Sequence, residues 1–210
     1  MRPYRLLVSF ALGYLVGTVP SADLAARAAT RSRVDLRHVG SRNPGGINAL
    51  RALGGVGRFV IVADVAKGFG GCAAGRMIAG DAGAHAAGVG AVAGHCYPVW
   101  NGFRGGKGLA TSFGQCLYTF PAWAPFDLAV AVGTARIPGL RRPGLATTAA
   151  ASAAWLLASV VWWRRRLPNS WGPEPTVALP LANAATTLMV AARTASELRK
   201  GLPDELEVAP

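Results

Sequence analysis

Hydrophobic and polar positions divide this chain into long apolar runs separated by short basic segments. Seven runs predict membrane-spanning helices, although a helix needs roughly 20 residues to cross the hydrocarbon and the fourth and fifth runs are shorter. They cover about Tyr4 to Leu24, Gly55 to Ala79, Ala82 to Trp100, Gly108 to Ala122, Pro125 to Thr134, Leu145 to Trp163 and Thr176 to Ala192. The pattern therefore predicts an all-α integral membrane protein with about seven transmembrane helices.

The composition agrees with this prediction. Hydrophobic residues make up 51% of the 210 residues and charged residues 15%, which is more typical of a membrane protein than of a soluble core. The first run lacks the short apolar core and small-residue cleavage site of a secretory leader, so we interpret it as the first span. No repeat or linker divides the chain, which predicts one domain over residues 1–200 and a loose acidic cytoplasmic tail over residues 201–210.

The net charge of +12 bears first on orientation, because Lys and Arg concentrate on the cytoplasmic side of membrane proteins. With seven spans, fifteen of these residues lie on the side of the carboxyl terminus. Six lie on the other side: Arg2, Arg5, Arg76, Arg164, Arg165 and Arg166. The count places the amino terminus outside and the carboxyl terminus in the cytoplasm. The basic cluster at 164–166 is an exception because it then lies outside, and an even number of spans would remove this exception. Nucleic-acid binding is not expected, because the basic residues lack interleaved aromatic side chains.

The most informative segment is Gly94 to Thr111, which sets the turn Gly105-Gly106-Lys107-Gly108 directly before an apolar run. Glycine lets backbone N–H groups approach an anion closely, and Arg104 and Lys107 supply positive charge. The helix that follows directs the positive end of its dipole to the same place, with Thr111 as a further donor. A nucleotide P-loop is excluded, because its lysine is followed by Ser or Thr and here a glycine follows.

A second polar segment lies in the long basic loop from Arg27 to Arg58. Ser41, Asn43 and Asn48 can hydrogen-bond phosphate oxygens or polyol hydroxyls, and the guanidinium of Arg51 can bind a phosphate with two hydrogen bonds. Two alternatives stay open: the loop is only a solvated orientation signal, or Asn48 only caps a turn.

Asp64 and Lys67 lie inside the second apolar run, where a charged side chain is costly. Their i, i+3 spacing lets them meet on one helix face. Two roles stay open and do not exclude each other: a structural ion pair, and a direct contact of Lys67 with a substrate. His95 is interpreted as a helix-end histidine rather than a base, because the sequence shows no carboxylate partner for it.

Three cysteines lie inside or beside apolar runs, without CxxC or histidine-paired spacing: Cys72, Cys96 and Cys116. They are predicted to pack in the interior, and neither a disulfide frame nor a zinc site is expected. No metal and no cofactor is predicted.

Taken in order, these segments resemble the bacterial integral-membrane acyl-phosphate glycerol-3-phosphate acyltransferases of the PlsY type. Gly17 to Ala22 and Asp35 to Arg51 are similar to that family's GSIPSA and DIRxxGSGNPGATNxxR patterns. Asp64 to Gly68 is similar to its DxxKG pattern, and Gly94 to Thr111 to GHxxPVFxxFKGGKGVAT. The resemblance runs from the first span to about Gln115 and more loosely to Lys200.

The resemblance implies a seven-span enzyme of the bacterial inner membrane with a cytoplasm-facing site. Such an enzyme transfers an acyl group from acyl phosphate to the sn-1 hydroxyl of glycerol 3-phosphate, giving lysophosphatidate and phosphate in phospholipid biosynthesis. Combined with the residue chemistry above, it implies that Ser41, Arg51 and Lys107 are catalytic. The implied substrate-binding residues are Asn43, Asn48, Lys67, Arg104, Gly105, Gly106, Gly108, Thr111 and Arg193. The implied partners are the two substrates and membrane lipids.

The chain departs from the family pattern at several positions. Arg42 replaces a glycine, Gly46-Ile47 replaces Ala-Thr, and Arg141-Arg142-Pro143 replaces a Ser-rich segment. The late HRxNI pattern is reduced to Ala192-Arg193-Thr194-Ala195-Ser196, which keeps only the arginine. Two alternatives therefore stay open: a non-catalytic membrane paralogue that binds anionic lipid, and a phosphate-ester transporter.

The base of other glycerolipid acyltransferases is a histidine followed five positions later by aspartate. The corresponding positions here are Asn43, Gly90 and Trp100, so this chemistry is absent. The acceptor's proton is instead expected to pass to the substrate's own phosphate.

Overall fold

The computed structural model describes residues 2–207, and the regular secondary structure of this part of the chain is entirely helical. The α-helices are α1 (Pro3–Gly17), α2 (Ser21–Thr30), α3 (Gly46–Leu53), α4 (Val56–Cys96), α5 (Leu109–Thr119), α6 (Ala124–Ala135), α7 (Pro143–Arg165) and α8 (Ala178–Arg199). A short 3₁₀ turn, Val99–Asn101, precedes the glycine-rich turn.

Helix α4 is two helices joined by a sharp kink. The backbone leaves helical geometry at Ala79 and Gly80, and Gly80 has a positive φ of 60°. The two halves fold back on each other, so that a Cβ on Gly75 would collide with the carbonyl of Gly83. The predicted division of this region into two spans is therefore confirmed.

Seven helical segments form the bundle: α1, the two halves of α4, α5, α6, α7 and α8. The all-α fold predicted from the hydrophobic runs is confirmed. By length and hydropathy alone, only the stretch Pro3–Thr30 and helix α7 could cross a membrane among the described residues. Helices α5 and α6 have 11 and 12 residues, fewer than the roughly 20 that span the hydrocarbon alone.

Two boundaries in the first part of the chain differ from the prediction. The first span does not continue to Leu24, because α1 ends at Gly17 and α2 begins at Ser21. Pro20 lies in this break, where its missing N–H and its effect on the preceding residue disfavour a continuous helix. The segment predicted as a long basic loop contains the short helix α3, which carries Asn48 and Arg51.

Small residues bring α1 and α4 together. A Cβ at Gly13 or Gly17 would collide with the carbonyl of Ala87 or Ala91, so these helices approach as closely as small residues permit in membrane proteins. The three cysteines are buried, as predicted. Large apolar side chains such as Leu7 face outward, as a lipid-facing surface requires.

The acidic tail is not loose over residues 201–207. The carboxylate of Asp204 accepts hydrogen bonds from the N–H groups of Gly144 at 2.9 Å and Leu145 at 3.0 Å, at the amino end of α7 where N–H groups lack helical partners. The N–H of Arg142 donates to Glu207 at 2.6 Å. The tail is therefore packed against α7; residues 208–210 lie outside the described part.

Candidate active site

A cavity of about 280 Å³ lies between α4, α5, α6, α7 and α8. Asn43, Lys107 and Glu205 line its polar end, whereas apolar side chains such as Leu109 and Phe113 line much of the remainder. The cavity is therefore suited to a ligand with an anionic head and an apolar chain.

The glycine-rich turn forms one wall of the polar end, immediately before α5. Gly108 has a φ of 87°, in the left-handed region that glycine adopts at little cost. Gly106 packs so closely on His95 that an added Cβ would lie 2.5 Å from its Nε2 atom. Packing therefore requires a glycine at position 106.

Lys107 is a buried cation between two carboxylates. Its side chain is 9% exposed, and Nζ lies 3.3 Å from Glu205 Oε2 and 3.4 Å from Glu197 Oε2. Burial alone would lower the pKa of Lys107, but the nearby carboxylates of Glu205 and Glu197 raise this pKa above its ordinary value. The lysine is therefore charged at neutral pH.

Glu205 connects the first loop to the glycine-rich turn. Asn43 Nδ2 donates to Glu205 Oε2 at 3.1 Å, and Arg51 donates to the backbone carbonyl of Glu205. Three residues predicted for the site, Asn43, Arg51 and Lys107, thus converge on one tail residue. Sequence reasoning missed Glu205 of the tail and Glu197 of α8, because the position of a carboxylate in the chain does not show which cation it contacts.

Asn48 shapes the first loop from inside. Its Nδ2 donates to the carbonyls of Leu36 at 3.0 Å, Val39 at 3.1 Å and Asn43 at 3.0 Å, and its Oδ1 accepts from the N–H of Ser41 at 3.1 Å. The amide is committed to the backbone, which supports the turn-holding alternative. Ser41 Oγ is buried and has no hydrogen-bond partner among residues 2–207, although Ser41 does not line the cavity.

Lys67 and Asp64 form the expected ion pair, with Nζ 2.7 Å from Oδ1. Lys67 also donates to the carbonyl of Val19 at 2.9 Å and to Ser21 Oγ at 3.2 Å. These contacts occupy its three N–H donors. His95 Nδ1 lies 3.6 Å from Asp64 Oδ1, so the fold supplies the carboxylate that the sequence did not reveal.

Of the predicted site residues, which all lie within residues 2–207, Asn43, Lys107 and Gly108 line the cavity, whereas Arg104 and Thr111 are among those that do not. Arg104 is exposed on the turn and does not line the cavity. Thr111 is fully buried, and its backbone carbonyl lies where a Cβ of Gly68 would be, at the contact between α5 and α4. Within residues 2–207, no group of three or more His, Cys, Asp and Glu side chains is placed to hold a metal ion.

Arg193 reaches the site from α8 but contacts the turn. Its guanidinium donates to the carbonyl of Gly105 and, at 3.3 Å, to that of Gly106. It also lies over the ring of Tyr97, 5.8 Å from the centroid. Both hydrogen bonds are to backbone carbonyls, and Arg193 does not line the cavity.

The chain is similar to proteins of one known family. Residues 7–202 match the family model described as glycerol-3-phosphate acyltransferase. The chain belongs to this family. A member from Symbiobacterium thermophilum is 44% identical over 131 residues, which cover 61% of this chain and 61% of that one. The chain thus spans about three fifths of that relative's length.

A longer match is to a glycerol-3-phosphate acyltransferase of Synechococcus sp. strain CC9902, which is 34% identical over 182 residues, covering 76% of this chain and 88% of the relative. The fold is similar to crystal structures of PlsY, an integral membrane glycerol 3-phosphate acyltransferase. The glycerol 3-phosphate form has a TM-score of 0.71 and 28% identity, and covers 94% of this chain and 90% of that chain. This protein is therefore an integral membrane member of the family.

Proposed function

We propose that this protein transfers an acyl group from acyl phosphate to the sn-1 hydroxyl of glycerol 3-phosphate, forming lysophosphatidate and inorganic phosphate. The observation that carries the proposal is the cavity in which a buried charged lysine, Lys107, meets an apolar interior. Family membership supports it, as do the PlsY structures, whose forms are named for glycerol 3-phosphate and lysophosphatidic acid.

The polar end has donors suited to phosphate. Lys107 has three N–H donors and two carboxylate partners, so one donor is left for a phosphate oxygen. The N–H groups of the glycine-rich turn and the amino end of α5 add uncharged donors at the same place. Asn43 and Arg51 both contact Glu205, which contacts Lys107. Ser41 lies outside the cavity lining, and its role in orienting the polyol or the acyl carbonyl is proposed because its buried Oγ has no partner within residues 2–207.

The proposed step needs no covalent intermediate on the protein. The sn-1 hydroxyl oxygen attacks the acyl carbonyl carbon, the bond from that carbon to the phosphate oxygen breaks, and phosphate leaves with the electron pair. The hydroxyl proton passes to a phosphate oxygen of the substrates. Acyl phosphate is an activated anhydride, so the residues act by positioning the reactants and stabilising developing negative charge.

The test is acyl transfer to radiolabelled glycerol 3-phosphate in isolated membranes, with acyl phosphate and acyl-CoA as separate donors. We expect lysophosphatidate from acyl phosphate only, a loss of about 100-fold or more for Lys107→Ala, and a clear loss for Ser41→Ala. Arg104→Ala is the matched control, since it removes a cation from the same turn outside the cavity. Equal product from wild type, Lys107→Ala and Ser41→Ala would show that the proposal is wrong.

The second candidate function is a non-catalytic member that binds anionic lipid. The observation that favours it is the pair Ala192 and Ala195, which stand where the family pattern has His and Asn. The same assay distinguishes the two functions. No product from wild type, together with product from Ala192→His/Ala195→Asn, would support the non-catalytic function.

We also propose that the protein lies in the bacterial inner membrane with its amino terminus outside and its carboxyl terminus in the cytoplasm. The first loop, the glycine-rich turn and the tail meet at one end of the bundle, and the distribution of Lys and Arg favours this end as cytoplasmic. Reporter fusions after residue 207 and before residue 3 test the orientation, and an active periplasmic reporter at the carboxyl end would contradict it.

A further inference from the structure

Three carbonyl groups of the glycine-rich turn accept hydrogen bonds from side chains. Arg193 donates to the carbonyls of Gly105 and Gly106. Cys96, the last residue of α4, places its Sγ 3.4 Å from the carbonyl oxygen of Lys107. Three consecutive carbonyls of the turn are therefore hydrogen-bonded, two of them by a single guanidinium.

The direction of the N–H groups follows from the planarity of the peptide. In a trans peptide, the carbonyl and the N–H of the next residue point in opposite directions. Binding the carbonyls of residues 105 to 107 therefore turns the N–H groups of Gly106, Lys107 and Gly108 away from these partners. None of these three N–H groups donates a hydrogen bond within residues 2–207.

N–H groups at buried positions require a hydrogen-bond partner. Gly106, Lys107 and Gly108 are all buried, and a buried backbone donor without a partner costs about 1–3 kcal/mol. The first N–H groups of α5 continue the row, because they have no partner within their own helix. An anion with several oxygens, such as phosphate, satisfies such a row.

We propose that Arg193 is a positioning residue for phosphate: it fixes the glycine-rich turn in the conformation that presents these N–H groups, and it does not itself bind substrate. The guanidinium is suited to this task because its planar fork reaches two successive carbonyls, and the ring of Tyr97 restricts its orientation. This role differs from the substrate contact predicted from sequence. It also accounts for an arginine kept where Ala192 and Ala195 replace the His and Asn of the family pattern.

The inference rests on the proposed function only for its kinetic part, so the experiment has two independent readouts. Wild type, Arg193→Ala and Arg193→Lys are purified in detergent, with Arg199→Ala as the control. Arg199 is exposed at the same end of α8, so its removal changes the local charge without touching the turn. The first readout is the rise in melting temperature with inorganic phosphate, which needs no turnover. The second is KM and kcat for each substrate.

For Arg193→Ala we expect the apparent Kd for inorganic phosphate to rise at least tenfold. The KM of the substrate whose phosphate lies on the turn rises by a similar factor, while kcat changes less than threefold, because binding to ground state and transition state is lost equally. Arg193→Lys keeps the charge but cannot reach both carbonyls in one fixed geometry, so its loss is intermediate. The substrate whose KM rises, donor or acceptor, identifies the bound phosphate.

The inference is overturned if Arg193→Ala binds phosphate within twofold of wild type, or if Arg199→Ala loses as much affinity as Arg193→Ala. If Arg193→Ala cannot be purified, Arg193→Lys decides the question, and affinity equal to wild type overturns the inference. If wild type shows no turnover but phosphate stabilises it and Arg193→Ala abolishes this effect, the proposed function fails while the positioning role stands.

Discussion

Replacing Glu205 tests whether the tail is part of the site. Glu205→Gln removes one of the two carboxylates at Lys107 but keeps an oxygen that can accept from Asn43 Nδ2. Lys107→Met removes the cation, so that the carboxylates of Glu197 and Glu205 lose the ammonium group between them. Combining the two substitutions in a double-mutant cycle isolates the interaction between Lys107 and Glu205.

The structure sets the expected magnitude. At 3.3 Å, two unit charges attract by about 5 kcal/mol at an effective dielectric constant of about 20. Most of this gain is offset by the cost of removing both groups from water, as their side chains are 9% and 8% exposed. Glu205→Gln also leaves Lys107 its second carboxylate partner, Glu197, whose Oε2 lies 3.4 Å from Nζ. We therefore expect Glu205→Gln to lower the free energy of unfolding by about 1–3 kcal/mol and Lys107→Met by about 3–5 kcal/mol.

The assay is unfolding by SDS titration in mixed micelles. Glu207→Gln is the matched tail control, since Glu207 is exposed and glutamine keeps an oxygen that can accept from the N–H of Arg142. The double variant is expected to lose less than the sum of the single variants, by about 1–2 kcal/mol. A coupling free energy below about 0.5 kcal/mol, or an equal loss in Glu207→Gln, would refute the reasoning that buried charge pairing attaches the tail to the site.

Three other predictions concern charge. The pKa of Lys107 is raised in the folded protein, so its contribution to stability is fully present below pH about 10.4 and is lost as pH rises through the folded-state pKa. In Glu205→Gln that pKa falls, so the rate of acyl transfer, measured from pH 7 to 11, should decline at a lower pH than in wild type. The same decline at high pH in both proteins would contradict this. Asp64→Asn should lower the free energy of unfolding by about 3–5 kcal/mol, because it leaves a buried Lys67 without its counter-charge, and adding Lys67→Met should restore part of the loss in the same titration. Arg104→Ala should keep KM and kcat within about twofold of wild type, because interactions at exposed charges are weak; a tenfold rise in KM would place Arg104 at the substrate.

Much of the architecture follows from local sequence. Apolar runs, and the glycines and prolines that end them, act over neighbouring residues, so the division of α4 at Gly80 was predicted. The break at Pro20 was not, because the apolar run continues through it although the helix does not. Helix α3 was missed for a similar reason, since eight residues inside a basic loop show little hydrophobic pattern.

The candidate site was only partly predictable. The turn at Lys107 and the loop at Asn43 were found from their residue types, because cations, amides and glycines before a helix suit phosphate wherever the chain places them. Their roles were not found this way, since Asn48 is occupied by backbone contacts and Arg193 binds carbonyls of the turn. Side-chain chemistry shows what a group can bind, but not which partner is near.

The amino-acid sequence was sufficient to predict a helical membrane protein and a glycine-rich turn suited to an anion, because partition into lipid and backbone conformation are local properties. It did not show which charges meet, because those contacts depend on the tertiary structure. Asn43 and Glu205 are 162 residues apart in the chain and 3.1 Å apart in the fold, and Asp64 reaches His95 only because α4 folds back on itself. Such contacts depend on helix packing, since a buried charge is stable only where the fold supplies its counterpart.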